Sequence, residues 1–114
     1  MQWFLERIDR AETLILELIQ QLENSKTDAI LDLGFSKFEH REKFRKFAKL
    51  NGYELKIHFL DIPAATRWER VMKRNNEKGF AFEFEVIRED FGFMESWFEK
   101  PNEQEIADGI IIRE

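Results

Sequence analysis

Tyr53-Glu-Leu-Lys-Ile-His-Phe-Leu-Asp-Ile-Pro63, followed by Ala64-Ala-Thr-Arg-Trp-Glu-Arg-Val-Met-Lys-Arg-Asn75, decides the fold. Tyr53, Leu55, Ile57 and Phe59 alternate with Glu54, Lys56 and His58, the period of a strand. Asp61-Ile-Pro63 stops that strand, and Pro63 suits the first turn of a helix, where its missing N–H costs nothing. The helix expected from Ala64 to about Asn75 is basic and ends before Gly79.

Upstream, Asp28-Ala-Ile-Leu-Asp-Leu33 is a short apolar run bounded by polar residues and Gly34, which predicts a buried strand. Ser36-Lys-Phe-Glu39 has the spacing of a capping box, and the helix it opens runs to Asn51-Gly52. Before that, Phe4, Ile8, Ala11, Ile15, Leu18 and Leu22 form one helical stripe over residues 3–23, ended by Asn24-Ser25. Leu5, Leu14, Leu16 and Ile19 widen it, so burial against a sheet is expected rather than a two-helix zipper. Downstream, Phe84, Ile87, Phe91, Met94 and Phe98 predict an amphipathic helix stopped by Pro101, with Gly92 weakening its middle. Asp108-Gly-Ile-Ile-Ile112 predicts a last strand.

The expected order is α-β-α-β-α-α-β. Strands separated by helices imply a parallel sheet with helices on its faces, hence an α/β fold. Ligands of such sheets sit beyond the carboxyl ends of the strands, here Asp32-Leu-Gly-Phe35 and Asp61-Ile-Pro63. A chain of 114 residues, 43% apolar with twelve Phe and three Trp, is expected to be one globular domain. The lack of Cys excludes disulfide scaffolds, thiolate zinc sites and thiol catalysis. No apolar run reaches a membrane span and no signal peptide is evident, so a cytoplasmic protein without membrane partners is expected.

Net charge is −5, against broad nucleic-acid binding. Its distribution is uneven: −4 over residues 1–36, +6 over 37–78 and −7 over 79–114. The basic island is either a solvated surface or a site for phosphates. Arg67, Arg70, Lys73, Arg74 and Lys78 fall within twelve residues, and Arg67, Arg70 and Arg74 share one helix face. Guanidinium groups so arranged can hold phosphate oxygens bidentately. Lys37, Arg41, Lys43, Arg45, Lys46 and Lys49, one helix earlier, are expected to be solvated. Asp32 and Asp61 both end strands. A carboxylate there can orient a water on Mg²⁺ or take a proton from an attacking hydroxyl, or it can serve only as a turn or cap residue; Asp61, just before Pro63, fits a helix start. His40 and His58 are isolated, so no metal site is expected. No serine elbow exists, and Phe80-Ala-Phe-Glu-Phe84 is expected in a core or interface.

Ile30-Leu-Asp-Leu-Gly-Phe-Ser-Lys-Phe-Glu-His-Arg41, Phe47-Ala-Lys-Leu-Asn-Gly-Tyr53, Phe59-Leu-Asp-Ile-Pro63 and Arg70-Val-Met-Lys-Arg-Asn-Asn-Glu-Lys-Gly79 together resemble P-loop kinases of the polynucleotide kinase and zeta-toxin type. Phe98-Glu-Lys-Pro101 with Glu103 and Glu105 resembles that family's closing segment. The resemblance spans roughly residues 28–112. It implies a partial three-layer α/β/α P-loop kinase-like fold, with a short parallel sheet flanked by helices and a lid at about 64–79. It further implies that Asp32 and Arg74 take part in catalysis and that Arg70, Arg74 and Lys78 contact the nucleotide phosphates. ATP and Mg²⁺ are the implied cofactors of the complete protein, none held tightly by this chain alone. The acceptor is open, a nucleic-acid end included. Where the family carries a further lid arginine this chain has Lys78, a point charge without the fork.

The family's G-x-x-x-x-G-K-[ST] loop is missing: glycine stands only at 34, 52, 79, 92 and 109. The expectation is therefore a C-terminal portion of such a kinase, inactive alone. A non-catalytic, self-associating remnant is the alternative. A homodimer or larger assembly is expected, because the missing strand of the family's sheet lies between those that match 28–33 and 53–60.

Overall fold

The computed structural model describes residues 2–114. The chain divides into two compact units, the first ending at Leu33 and the second beginning at Gly34. The first contains α1 (Gln2–Asn24) and the coil after it. The second contains α2 (Phe38–Asn51), β1 (His58–Leu60), α3 (Ala64–Glu77), α4 (Arg88–Trp97), α5 (Glu103–Ile106) and β2 (Ile110–Ile112). β1 and β2 pair in parallel, His58 opposite Ile110 and Leu60 opposite Ile112, so the fold is α/β. No helix among the described residues is long and apolar enough to cross a membrane.

The first unit departs from the expectation at two points. α1 has the expected bounds, but its stripe is not covered: Phe4, Leu14 and Leu18 are more than half exposed. Residues 28–33 form no strand. Their backbone groups make no hydrogen bond among the described residues, and Ile30 is 98% exposed. A strand exists only when a neighbour completes its ladder, and these six residues have none.

The second unit opens on consecutive left-handed residues, Gly34 at φ +80° and Phe35 at φ +47°. Phe35 holds that conformation because three contacts fix it. Its ring stacks on His40 at 4.8 Å, meets Phe44 edge-on at 5.0 Å, and its carbonyl accepts from Arg41 Nη1 at 2.8 Å. Such strain persists only where the surroundings over-determine it.

α2 begins without the capping box expected from Ser36 and Glu39. Lys37 occupies the N-cap and its side chain caps nothing. The carboxylate of Glu99, from the segment after α4, accepts from the Phe38 amide at 3.1 Å instead, and the Lys37 ammonium lies 3.1 Å from the same carboxylate. A tertiary acceptor has displaced the local one. The capping box that does form is Asn102 with Glu105, at the start of α5. Gly52 ends α2 in the left-handed region, as expected.

The strand expected over 53–60 shortens to three residues, for only β2 is there to pair it. The core is correspondingly small: Phe44, Ala48 and Ile62 are its buried apolar residues, with Phe59 stacked on Phe98 at 6.2 Å. The helix expected from Phe84 begins at Arg88, because Val86 is held by Asn75 of α3. Phe80 and Phe84 are exposed, Phe80 fully, so the aromatic run is not core.

Candidate functional site

α3 starts at Pro63, whose φ of −55° suits the first turn, and runs to Lys78, which ends it in the left-handed region. The expected face of arginines forms, but its members have different work. Arg67 is a structural tie. Its Nε donates to Ile62 O at 2.8 Å, and its guanidinium grips the Glu95 carboxylate of α4 with both Nη atoms. Arg70, one turn on, is exposed and paired with Glu114.

Arg74 is different. It is half-buried, its Nε is shielded from solvent, and its guanidinium makes no hydrogen bond or ion pair with any described residue. A charged donor left without an acceptor is costly unless something else satisfies it. Beside it lies an open groove of about 320 Å³, walled by Arg70, Lys73, Arg74 and Glu77 of α3 and by Gly79–Phe82 of the next loop. Lys78 stands just outside this wall, its ammonium 5.7 Å from the Phe82 ring centre. Arg70 and Arg74, named from sequence, thus share one groove with Lys78 at its margin. Lys73 is paired with Glu77 in the same wall and Arg70 with Glu114, so it is the unmatched Arg74 guanidinium, with Lys78 nearby, that suits an oxyanion, phosphate above all.

The loop wall is fixed by a contact the sequence reading missed. Asn75 is 7% exposed, its Nδ2 donates to Val86 O at 2.8 Å and its Oδ1 accepts from Val86 N at 3.2 Å. The side-chain amide acts as one rung of a backbone ladder and pins the end of the Gly79–Val86 segment to α3.

The acidic candidates separate. Asp32 is exposed, in the coil of the first unit, and the groove is built wholly from the second. Asp61 neither caps α3 nor stands free: Arg113 Nε donates to its Oδ2 at 3.2 Å, and Lys100 Nζ lies 3.7 Å from Oδ1. Its role is to anchor the C-terminal strand.

Arg41, expected in solvent with its helix neighbours, is instead buried in the second unit. It is 4% exposed, and its guanidinium meets Glu105 at 2.6 and 3.3 Å. Burial alone would raise the Glu105 carboxyl; the Arg41 bond and the Asn102 amide outweigh it and hold the group below its ordinary value. Glu99 is likewise held low, chiefly by the Phe38 amide and then by Lys37. Glu99 and Glu105 therefore clamp the first turns of α2. The signal was present: Arg41, Phe44 and Ala48 share the 3-and-4 spacing of a buried face, and a run of charges hid it.

Among the described residues no group of three or more acids or histidines could hold a metal ion. Of the two aspartates singled out from sequence, Asp61 is paired with Arg113 and Lys100, and Asp32 has no ion pair among the described residues.

No curated protein and no solved structure matches the chain. A family model described as an AAA domain matches residues 1–101. With the parallel sheet, the turn at Asp61–Pro63 and the cationic helix behind it, this match shows that the chain belongs to the AAA-domain family of kinase-like P-loop NTPases.

Proposed function

We propose that the chain is the lid-bearing portion of a cytoplasmic ATP-dependent kinase, in which α3 closes its cations over the nucleotide phosphates. The observation that carries this reading is the unpartnered Arg74 guanidinium beside the groove. ATP, bound with Mg²⁺, supplies the phosphoryl group. Arg74 and Arg70 neutralise the charge that spreads over the phosphate oxygens during transfer, and Lys78 adds a point charge at the margin. Phosphoryl transfer needs such positioning and positive charge more than covalent help. Asp32 would take the proton of the acceptor hydroxyl or help to hold Mg²⁺. Neither the Gly-rich amide cradle nor its Lys exists in the 114 residues, so we infer that this chain alone does not turn over ATP.

Titration with tripolyphosphate tests the lid. Weak binding that is lost in Arg74→Ala and kept in Arg45→Ala is expected; equal effects would remove the lid role. Phosphotransfer by the purified chain, abolished by Asp32→Ala, would overturn the inference of inactivity.

A second reading is self-association as a homodimer or larger assembly. It is favoured by the exposed stripe of α1, where Phe4, Leu14 and Leu18 face solvent, and by the short sheet.

A further inference from the structure

β1 has two edges and one neighbour. Ile110 N donates to Ile57 O at 2.8 Å and Asp61 N donates to Ile112 O at 2.9 Å, so residues 57, 59 and 61 direct their backbone groups to β2. By the alternation of a strand, His58 and Leu60 direct theirs to the opposite edge, where no described backbone or side-chain group meets them. A parallel pair three residues long is too short to hold itself as a sheet. Tyr53–Ile57 before it has the strand period and no strand partner. This is an open template for one more strand.

The chain also carries a strand without a template. Residues 28–33 have strand composition, no backbone hydrogen bonds and an almost fully exposed Ile30. We propose that the free edge of β1 takes residues 28–33 of a second copy as an added strand, with Ile30 beside His58. The exchange is reciprocal, so it closes as a two-fold dimer and satisfies both edges.

Face alternation sets the register. With Ile30 at His58, Ala29 and Leu31 fall on the side of Ile57 and Phe59, and Asp28 or Asp32 falls opposite Lys56. A one-residue slip would put both aspartates on the side of Ile57 and Phe59. The segment's only ionic groups are acidic, and the face that receives them carries Lys56, paired with Glu54 at 3.3 Å, and His58.

The proposal rests on the self-association reading and is tested separately from it. The chain contains no Cys, so Ile30→Cys and His58→Cys proteins can be made singly, mixed at micromolar concentration and mildly oxidised. A disulfide-linked dimer is expected in the mixture, absent from either protein alone and from a mixture of Ile30→Cys with Glu103→Cys. Ile30→Pro removes a donor from a segment that bonds to nothing in its own chain. It should convert the dimer to monomer in sedimentation, while the unfolding transition measured at concentrations low enough to dissociate the dimer matches that of the unsubstituted chain. A dimer that gives no Ile30–His58 cross-link overturns strand exchange and leaves self-association standing. A monomer at these concentrations overturns both. Cross-linking confined to the doubly substituted chain, at monomer mobility, would show that a chain's own segment fills its edge, and overturns the exchange between copies.

Discussion

The Asn75 side chain and the Val86 backbone exchange two hydrogen bonds, of 2.8 and 3.2 Å, and so join the last turn of α3 to the loop that walls the cationic groove. Asn75→Ala leaves the Val86 N–H and C=O unpaired in a half-buried site, at a cost of roughly 1–3 kcal/mol. The expected outcome is a lower denaturant midpoint and faster amide exchange at Val86. Asn75→Asp keeps the acceptor and loses the donor, setting a carboxylate against the Val86 carbonyl. It should be destabilising at neutral pH and recover in part on acidification, when the protonated acid donates again.

Breaking the Arg41–Glu105 pair should cost more. Both side chains are almost fully buried, at 4% and 1% exposure, and removing one partner leaves a charge in a low-dielectric site. Losses of this kind run to about 3–5 kcal/mol. Glu105→Gln is therefore expected to bring the chain near its unfolding transition. The double change Arg41→Met with Glu105→Leu removes both charges and should recover most of the loss. A thermal melt of the three variants checks it; an unchanged midpoint in Glu105→Gln would show that the pair carries no stability.

The same pair sets a pH dependence. Glu105 is held low in the folded chain, so its contribution to stability is complete above the ordinary carboxylate value of 4.5 and is lost as pH falls through the lower, folded value. Glu99 acts in the same sense, though half exposed and therefore weakly. Denaturant midpoints should hold from pH 7 down to about 5 and drop below it. Glu105→Gln should show a shallower acid limb from a lower plateau, since it no longer has that proton to take up.

Legibility in the sequence followed how local each signal was. α1, α2 and α3 were readable because spacing and stop residues are written within each segment, and Gly52 ends α2 where its freedom at positive φ predicted. Residues 28–33 misled for the opposite reason: their composition is that of a strand, but strand formation depends on a neighbour that no local pattern records. Ser36 likewise had the chemistry of a cap, and a distant carboxylate, Glu99, took the position. That Arg70 and Arg74 share one helix face was legible from helical phase. That Arg67 of the same face is spent on Glu95 was not, since the tie depends on α4 lying across α3. Asn75 gave no charge or motif signal of its own beyond its place after Lys73-Arg74.

Two glycines should respond to alanine with opposite sign. Gly92 lies inside α4, and a Cβ built there meets nothing within 4 Å. Its replacement trades backbone freedom in the unfolded chain for a better helix former, worth about 1 kcal/mol of added stability. Gly109 precedes β2, and a Cβ there would lie 2.5 Å from the Ile57 carbonyl oxygen. That oxygen is also the acceptor for Ile110 N at 2.8 Å, the bond that starts the β1–β2 ladder. The contact is backbone against Cβ, so no side-chain rotation relieves it. Either the strands move apart and the bond lengthens, or the backbone before β2 shifts and the register changes. Overpacking of this kind costs about 1–3 kcal/mol, so Gly109→Ala should lower the melting temperature and speed amide exchange at Ile110 and Asp61. Gly92→Ala should raise the melting temperature and leave both amides as they are. A Gly109→Ala protein with unchanged exchange at Ile110 would mean that the close approach of Gly109 to Ile57 is not what aligns the two strands.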